Sequence, residues 1–186
     1  VYEGGNRGGN MEHQPSGLVW NLDNSINITY ENKAYRFTDE KIEVQKLPRG
    51  GGQWGIGQDD AGRLYYSAAG GERPAFYFQQ PIKYGALELR GQEADGFREV
   101  FPIADVPDVQ GGPRRVNARG GLNNFTGCAG QGIYRGDRRP AGLKGNIIIP
   151  EPVGRLIRSG KVSRENGKTV LSNVYPGTEF IRTRDI

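Results

Sequence analysis

His13 is the only histidine in the chain, and it is the one side chain whose ordinary pKa suits proton transfer near neutrality. A neutral imidazole can take a hydroxyl proton, so His13 is the candidate general base. The competing reading is a loop histidine bonded to backbone. Asp59 and Asp60, followed by Gly62, cluster carboxylate oxygens as a hard cation requires. They make the candidate calcium turn, although no Asp-x-Asp-x-Asp loop is present, and a β-turn with an Asp cap would use the same residues. Guanidinium groups pair with carboxylates in a bidentate fork, so arginines are candidates to hold an acidic ligand. Arg115 and Arg155 are the two selected, against the alternative of surface or strand-pairing arginines. No serine–histidine–aspartate triad can be argued from one histidine, and the Gly-rich start, Gly5 to Gly9, lacks the lysine of a phosphate loop.

Composition narrows the rest. The chain has 186 residues, a net charge of +4 and one cysteine, Cys128. One cysteine builds neither a disulfide framework, a zinc cluster nor a Cys-x-x-Cys-His haem site, and Cys128 reads as a small core residue. The basic residues come as pairs interleaved with acids, with no run of five or more, which argues against a nucleic-acid groove. No apolar stretch is long enough to span a bilayer. The chain opens on Val1 with no signal peptide, so a processed or truncated product is expected. Asn-x-Ser/Thr triplets at Asn27 and Asn124 are too common by chance to carry weight.

The elements that must position these residues read as short strands. With 30 Gly and 11 Pro and no long 3.6-residue apolar period, helix is expected to be minor. Gly17 to Tyr30 reads as a strand, an Asp-Asn turn and an alternating strand, and 34–37 and 41–47 continue as two more. The pattern then returns. Ile26 follows Gly17, and Leu64 follows Gly55, at the same nine-residue spacing, with the copies 38 positions apart; a third echo starts at Gly132, 77 positions after Gly55. Four strands per unit at a period near 40 is the mark of a β-propeller, whose blades bury their faces on one another. The expected fold is therefore all-β, with blades at about 13–48, 53–80, an irregular 81–124 and 125–175, all within one domain spanning 1–186. Trp20 and Trp54 read as blade-packing residues. Such a segment forms only part of a ring, so the missing blades are expected outside this chain, with open blade faces or edges contacting other chains or fragments.

Three passages carry a resemblance. They are Glu12-His13-Gln14-Pro15-Ser16-Gly17-Leu18-Val19-Trp20-Asn21-Leu22-Asp23-Asn24, then Gln53-Trp54-Gly55-Ile56-Gly57-Gln58-Asp59-Asp60, then Ile133-Tyr134-Arg135-Gly136-Asp137-Arg138-Arg139-Pro140 continuing through Gly145 to Leu156. Together the chain resembles the membrane-bound dehydrogenase-type domain of large secreted proteins of planctomycetes and verrucomicrobia. That domain is itself similar to the soluble quinoprotein glucose and sorbosone dehydrogenases, which are six-bladed propellers. The resemblance implies a periplasmic or secreted location, a sugar or alcohol substrate, and a pyrroloquinoline quinone and calcium site. It gives His13 a role as general base, although His13 and Gly17 only approximate the His-x-x-Gly-type context of the quinoprotein enzymes. Their Arg-Asn cofactor pair matches no position here. A non-catalytic propeller that binds glycans or proteins, and a structural subunit of a larger assembly, are the alternatives.

Overall fold

The computed structural model describes residues 14–15, 17–47, 54–66, 106, 109–123, 128–138 and 140–183, together with the backbone of the short strands in 76–78, 83–84 and 87–88. The all-β expectation holds. Strands in antiparallel sheets dominate, and the described helical turns are two three-residue 3-10 turns, Pro113–Arg115 and Ala141–Leu143.

Three sheets share one plan. The first runs in chain order β1 (Leu18–Trp20), β2 (Ser25–Ile28), β3 (Lys33–Thr38) and β4 (Lys41–Lys46). The second orders β5 (Gly57–Gln58), β6 (Leu64–Tyr66) and β7 (Phe76–Phe78). A separate hairpin joins β8 (Lys83–Tyr84) and β9 (Leu87–Glu88). The third sheet orders β10 (Gly132–Ile133), β11 (Ile147–Glu151), β12 (Leu156–Glu165) and β13 (Lys168–Asn173). Past the expected limit at 175, β14 (Ile181–Arg182) pairs with β12, Ile157 facing Ile181.

The turn after each first strand shows how the copies correspond. In the first sheet the Asn21 N–H donates to Ser25 O at 2.8 Å; in the second the Asp59 N–H donates to Arg63 O at 3.1 Å. Both turns close through a residue with positive φ, Asn24 at 67° and Gly62 at 73°, types that tolerate the left-handed region. In the third sheet the Tyr134 N–H donates to Asn146 O at 2.9 Å, with a longer loop between them ending in Gly145 at φ 82°. Ile26, Leu64 and Ile147 are therefore equivalent, and so are Ile28, Tyr66 and Ile149. The same alignment makes Gly130, rather than the expected Gly132, the third partner of Gly17 and Gly55.

The sheets lie side by side in that order. A Cβ on Gly17 would meet Gly55 Cα at 3.2 Å, and one on Gly55 would meet Gly130 Cα at 3.3 Å. Trp54 and Ala129 form a parallel bridge, and β5 runs beside β10. The turns stack as well: Gly62 packs on the Asn21 side chain, and Arg135 Nε reaches Asp60 Oδ1 at 2.6 Å.

Two apolar clusters fill the gaps between sheets. Leu64 and Tyr66 share one with Ala34, Leu47 and Val19 of the first sheet. Tyr65, pointing the other way as strand alternation dictates, joins Ile147, Ile149, Leu156 and Cys128 of the third. Strand β6 is thus buried on both faces. Within the expected irregular blade 81–124, the described residues 106 and 109–123 send Val106, Val109 and Leu122 into that second cluster. The Gln110 N–H donates to Val153 O at 2.9 Å. Asn27 is buried beside Ser25, so the first sequon offers no surface acceptor; Asn124 lies outside the described residues.

Candidate functional site

The carboxylates of Asp59 and Asp60 are both engaged by protein. Asp59 Oδ1 accepts the backbone N–H groups of Ala61 at 3.0 Å and Arg63 at 2.9 Å. Its Oδ2 accepts Arg63 Nε at 2.6 Å and the Tyr65 hydroxyl at 3.3 Å. This is an Asp-capped turn with a partly buried ion pair. Asp60 is exposed and pairs across the sheet junction with Arg135. A cation at this turn would have to displace Arg63 from Asp59 and Arg135 from Asp60. Among the described residues, no group of three or more His, Cys, Asp and Glu could hold a metal ion.

The two arginines sit in separate turns. Arg115 closes the 3-10 turn Pro113–Arg115, its carbonyl accepts the Asn123 N–H at 2.9 Å, and its side chain lies over Gly111. Arg155 occupies the turn between β11 and β12 with φ 51°, and its carbonyl accepts the Thr183 N–H at 3.1 Å. His13 lies outside the described residues; the described strand it precedes begins at Leu18.

A family model matches residues 1–186, the whole chain, under the description "Domain of unknown function (DUF7133)". The chain belongs to the DUF7133 family. No curated protein and no solved structure matches it.

Sequence reasoning missed two features of this DUF7133 chain. The first is a cleft of about 470 Å³ on the third sheet, lined by Lys144, Lys161, Asn146, Ser172 and Asn173 among others, with no carboxylate in its lining. Lys161 and Ser172 are directly opposed on β12 and β13. Lys144 immediately precedes the positive-φ residue of its turn, where the first sheet has Asp23, which pairs there with Arg36 at 3.2 Å. The third sheet therefore puts a lysine where the first puts a carboxylate, a difference visible in the sequence only once the turns are aligned.

The second is a charged network under the junction of the middle and third sheets. Arg158 and Glu179, both buried, form a two-point ion pair, with Arg158 Nε to Glu179 Oε2 at 3.0 Å and Nη2 to Oε1 at 2.5 Å. The buried Glu151 carboxylate accepts the Val153 N–H at 2.9 Å and lies 3.5 Å from Cys128 Sγ. Burial first, and then the Glu151 charge, push the Cys128 thiol well above its ordinary range. The folded state holds the proton more tightly, so its stabilising effect is complete below the unfolded thiol pKa, about 8.5, and is lost as pH rises beyond it. We expect Cys128 to react with a thiol-specific dye only as fast as the protein unfolds, and stability to decline above about pH 8.5. Unfolding midpoints across pH 7–10 measure this, and Cys128→Ala should remove that part of the slope. Fast labelling of the folded protein at pH 8 would contradict the burial.

Proposed function

We propose that the three sheets are successive blades of a β-propeller, and that the chain is a segment of a quinoprotein-like sugar or alcohol dehydrogenase working in the periplasm or outside the cell. The observation that carries the propeller part is the glycine stack Gly17–Gly55–Gly130. It brings the first strands of three meanders side by side along one line, as inner strands converge on a propeller axis. The dehydrogenase part rests on the resemblance around Glu12–Asn24.

In this reading His13 stands at the entrance to the first inner strand, where residues from several blades converge on a cleft. Its role is to accept the substrate hydroxyl proton at an imidazole nitrogen, which requires a neutral ring near pH 7. The resemblance makes pyrroloquinoline quinone with calcium the two-electron acceptor. Asp59 and Asp60 are engaged by Arg63 and Arg135, and Arg115 and Arg155 lie in separate turns, so no step is assigned to them.

A second reading, a non-catalytic propeller that binds acidic glycans, is favoured by the carboxylate-free Lys144–Lys161 cleft. One experiment separates the two. The purified protein is supplied with pyrroloquinoline quinone, calcium, a dye acceptor and a panel of sugars and alcohols. Dye reduction that falls by at least about a hundredfold in His13→Ala, with quinone absorbance retained, supports the dehydrogenase. An inert protein, or an unimpaired His13→Ala variant, overturns it. Binding of glucuronate that is lost in Lys144→Ala/Lys161→Ala would then support the second reading.

A further inference from the structure

The first sheet has one face packed and one bare. Val19, Asn27 and Ala34 form a cross-strand row on the packed face, against Leu64 and Tyr66 of the middle sheet. The opposite face carries the row Trp20–Ile26–Tyr35–Val44 across all four strands, flanked by Leu18 and by the opposed pair Phe37–Ile42. Leu18 is 70% exposed, and Trp20 and Phe37 are each 68% exposed. A contiguous apolar face of this kind marks an interaction surface.

The repeat indicates what covers it. On this face the exposed Ile26 and the buried Ile28 are equivalent to Leu64 and Tyr66 of the middle sheet, and to Ile147 and Ile149 of the third. In both of those sheets this face is buried by the preceding sheet. The bare face is thus a third copy of a junction used twice within the chain.

We propose that the bare face of the first sheet is the docking surface for one further antiparallel sheet of the same repeat, contributed by polypeptide other than residues 1–186. That sheet presents small and apolar residues to Trp20, Phe37 and Val44. Its rim is acidic, opposite Lys33 and Lys46, which are paired at one end of the face. A second copy of this chain would fit less well. The face it would offer is the outward face of its third sheet, which carries Lys161 beside Lys144, so two lysine-bearing faces of the same charge would be brought together. The inference rests on the propeller reading but not on dehydrogenase activity, so an inert enzyme leaves it standing.

The test is oxidative footprinting of Trp20 and Phe37 in recombinant 1–186 and in the protein purified from its source, with amine cross-linking from Lys33 and Lys46. The expected result is at least about a fivefold drop in labelling of both rings in the source protein, the contrast between exposed and core side chains. Lys33 or Lys46 should cross-link to a peptide from outside 1–186. Equal labelling in the two preparations overturns the proposal. So does protection accompanied by cross-links, in an isotope-mixed sample, that join two copies of 1–186.

Discussion

Arg158→Ala is expected to destabilise the fold by about 3–5 kcal/mol, because it leaves the Glu179 carboxylate buried without its guanidinium. Arg158 has no exposed surface, and both of its contacts to Glu179 use the same carboxylate. The pair ties residues 174–183 to β12, at the end of the sheet where β14 joins it. Taking two charges out of water costs nearly as much as their attraction returns, so removing both is far milder than removing one. The double variant Arg158→Met/Glu179→Leu should therefore recover most of the loss, to within about 1–2 kcal/mol of the parent. Urea unfolding midpoints of the two single variants and the double variant close a cycle that measures the coupling directly. A single variant that cost less than about 1 kcal/mol would mean that water reaches Glu179 in solution.

How much of this was legible beforehand depends on what kind of signal each residue gave. Strands β3 and β4 fall within one residue of the stretches 34–37 and 41–47 read from the sequence, although β4 is almost wholly exposed and so carries no burial signal of its own. The correspondence of Gly17 with Gly55 was legible too, because the two turns have the same length. The third copy was misregistered by two residues because its turn between Tyr134 and Asn146 is longer than the other two, which removes the nine-residue glycine-to-aliphatic spacing that fixes the register of the first two copies. Glu151, Arg158 and Glu179 gave no signal of burial at all. Charged residues read as surface by default, and only partners distant in sequence make their burial tolerable. The stretch 81–124 was read only as an irregular blade because its prolines and glycines break any strand pattern; its described part does turn repeatedly, yet Val106, Val109 and Leu122 close the core. On the functional side, Asp59 and Asp60 looked like a cation site because carboxylate spacing is visible in a sequence, whereas Arg63 and Arg135 folding back onto them is not. The bare apolar face was foreshadowed by the expectation of open blade faces, but which sheet would bear it depended on the order in which the three sheets stack.

Gly57→Ala is expected to cost about 1–3 kcal/mol, the usual effect of forcing a methyl group into packed structure. Gly57 is buried in β5, and its φ is not in the left-handed region, so backbone strain contributes nothing. What forbids a side chain is the neighbouring sheet. A Cβ would stand 2.9 Å from Gly132 Cα and 3.0 Å from Gln131 O, both backbone atoms that cannot swing aside. The third sheet would have to back away from the middle one, loosening the cluster of Tyr65, Ile147 and Ile149 and the Gln131 side-chain bond to Gly55 O. Gly57→Val should cost more than Gly57→Ala. Gly132 provides the control, because it holds the same position in the third sheet and a Cβ there meets nothing within 4 Å. In recombinant 1–186, Gly132→Ala should change stability by no more than about 0.5 kcal/mol. Where a further sheet covers the outward face of the third, the same substitution should become as costly as Gly57→Ala. Chemical denaturation of the two variants in recombinant 1–186 gives the first comparison, and their thermal midpoints in the protein purified from its source give the second. If Gly57→Ala were as harmless as Gly132→Ala in the recombinant chain, the middle and third sheets would not be packed backbone to backbone, and the stacking on which the propeller reading rests would fail.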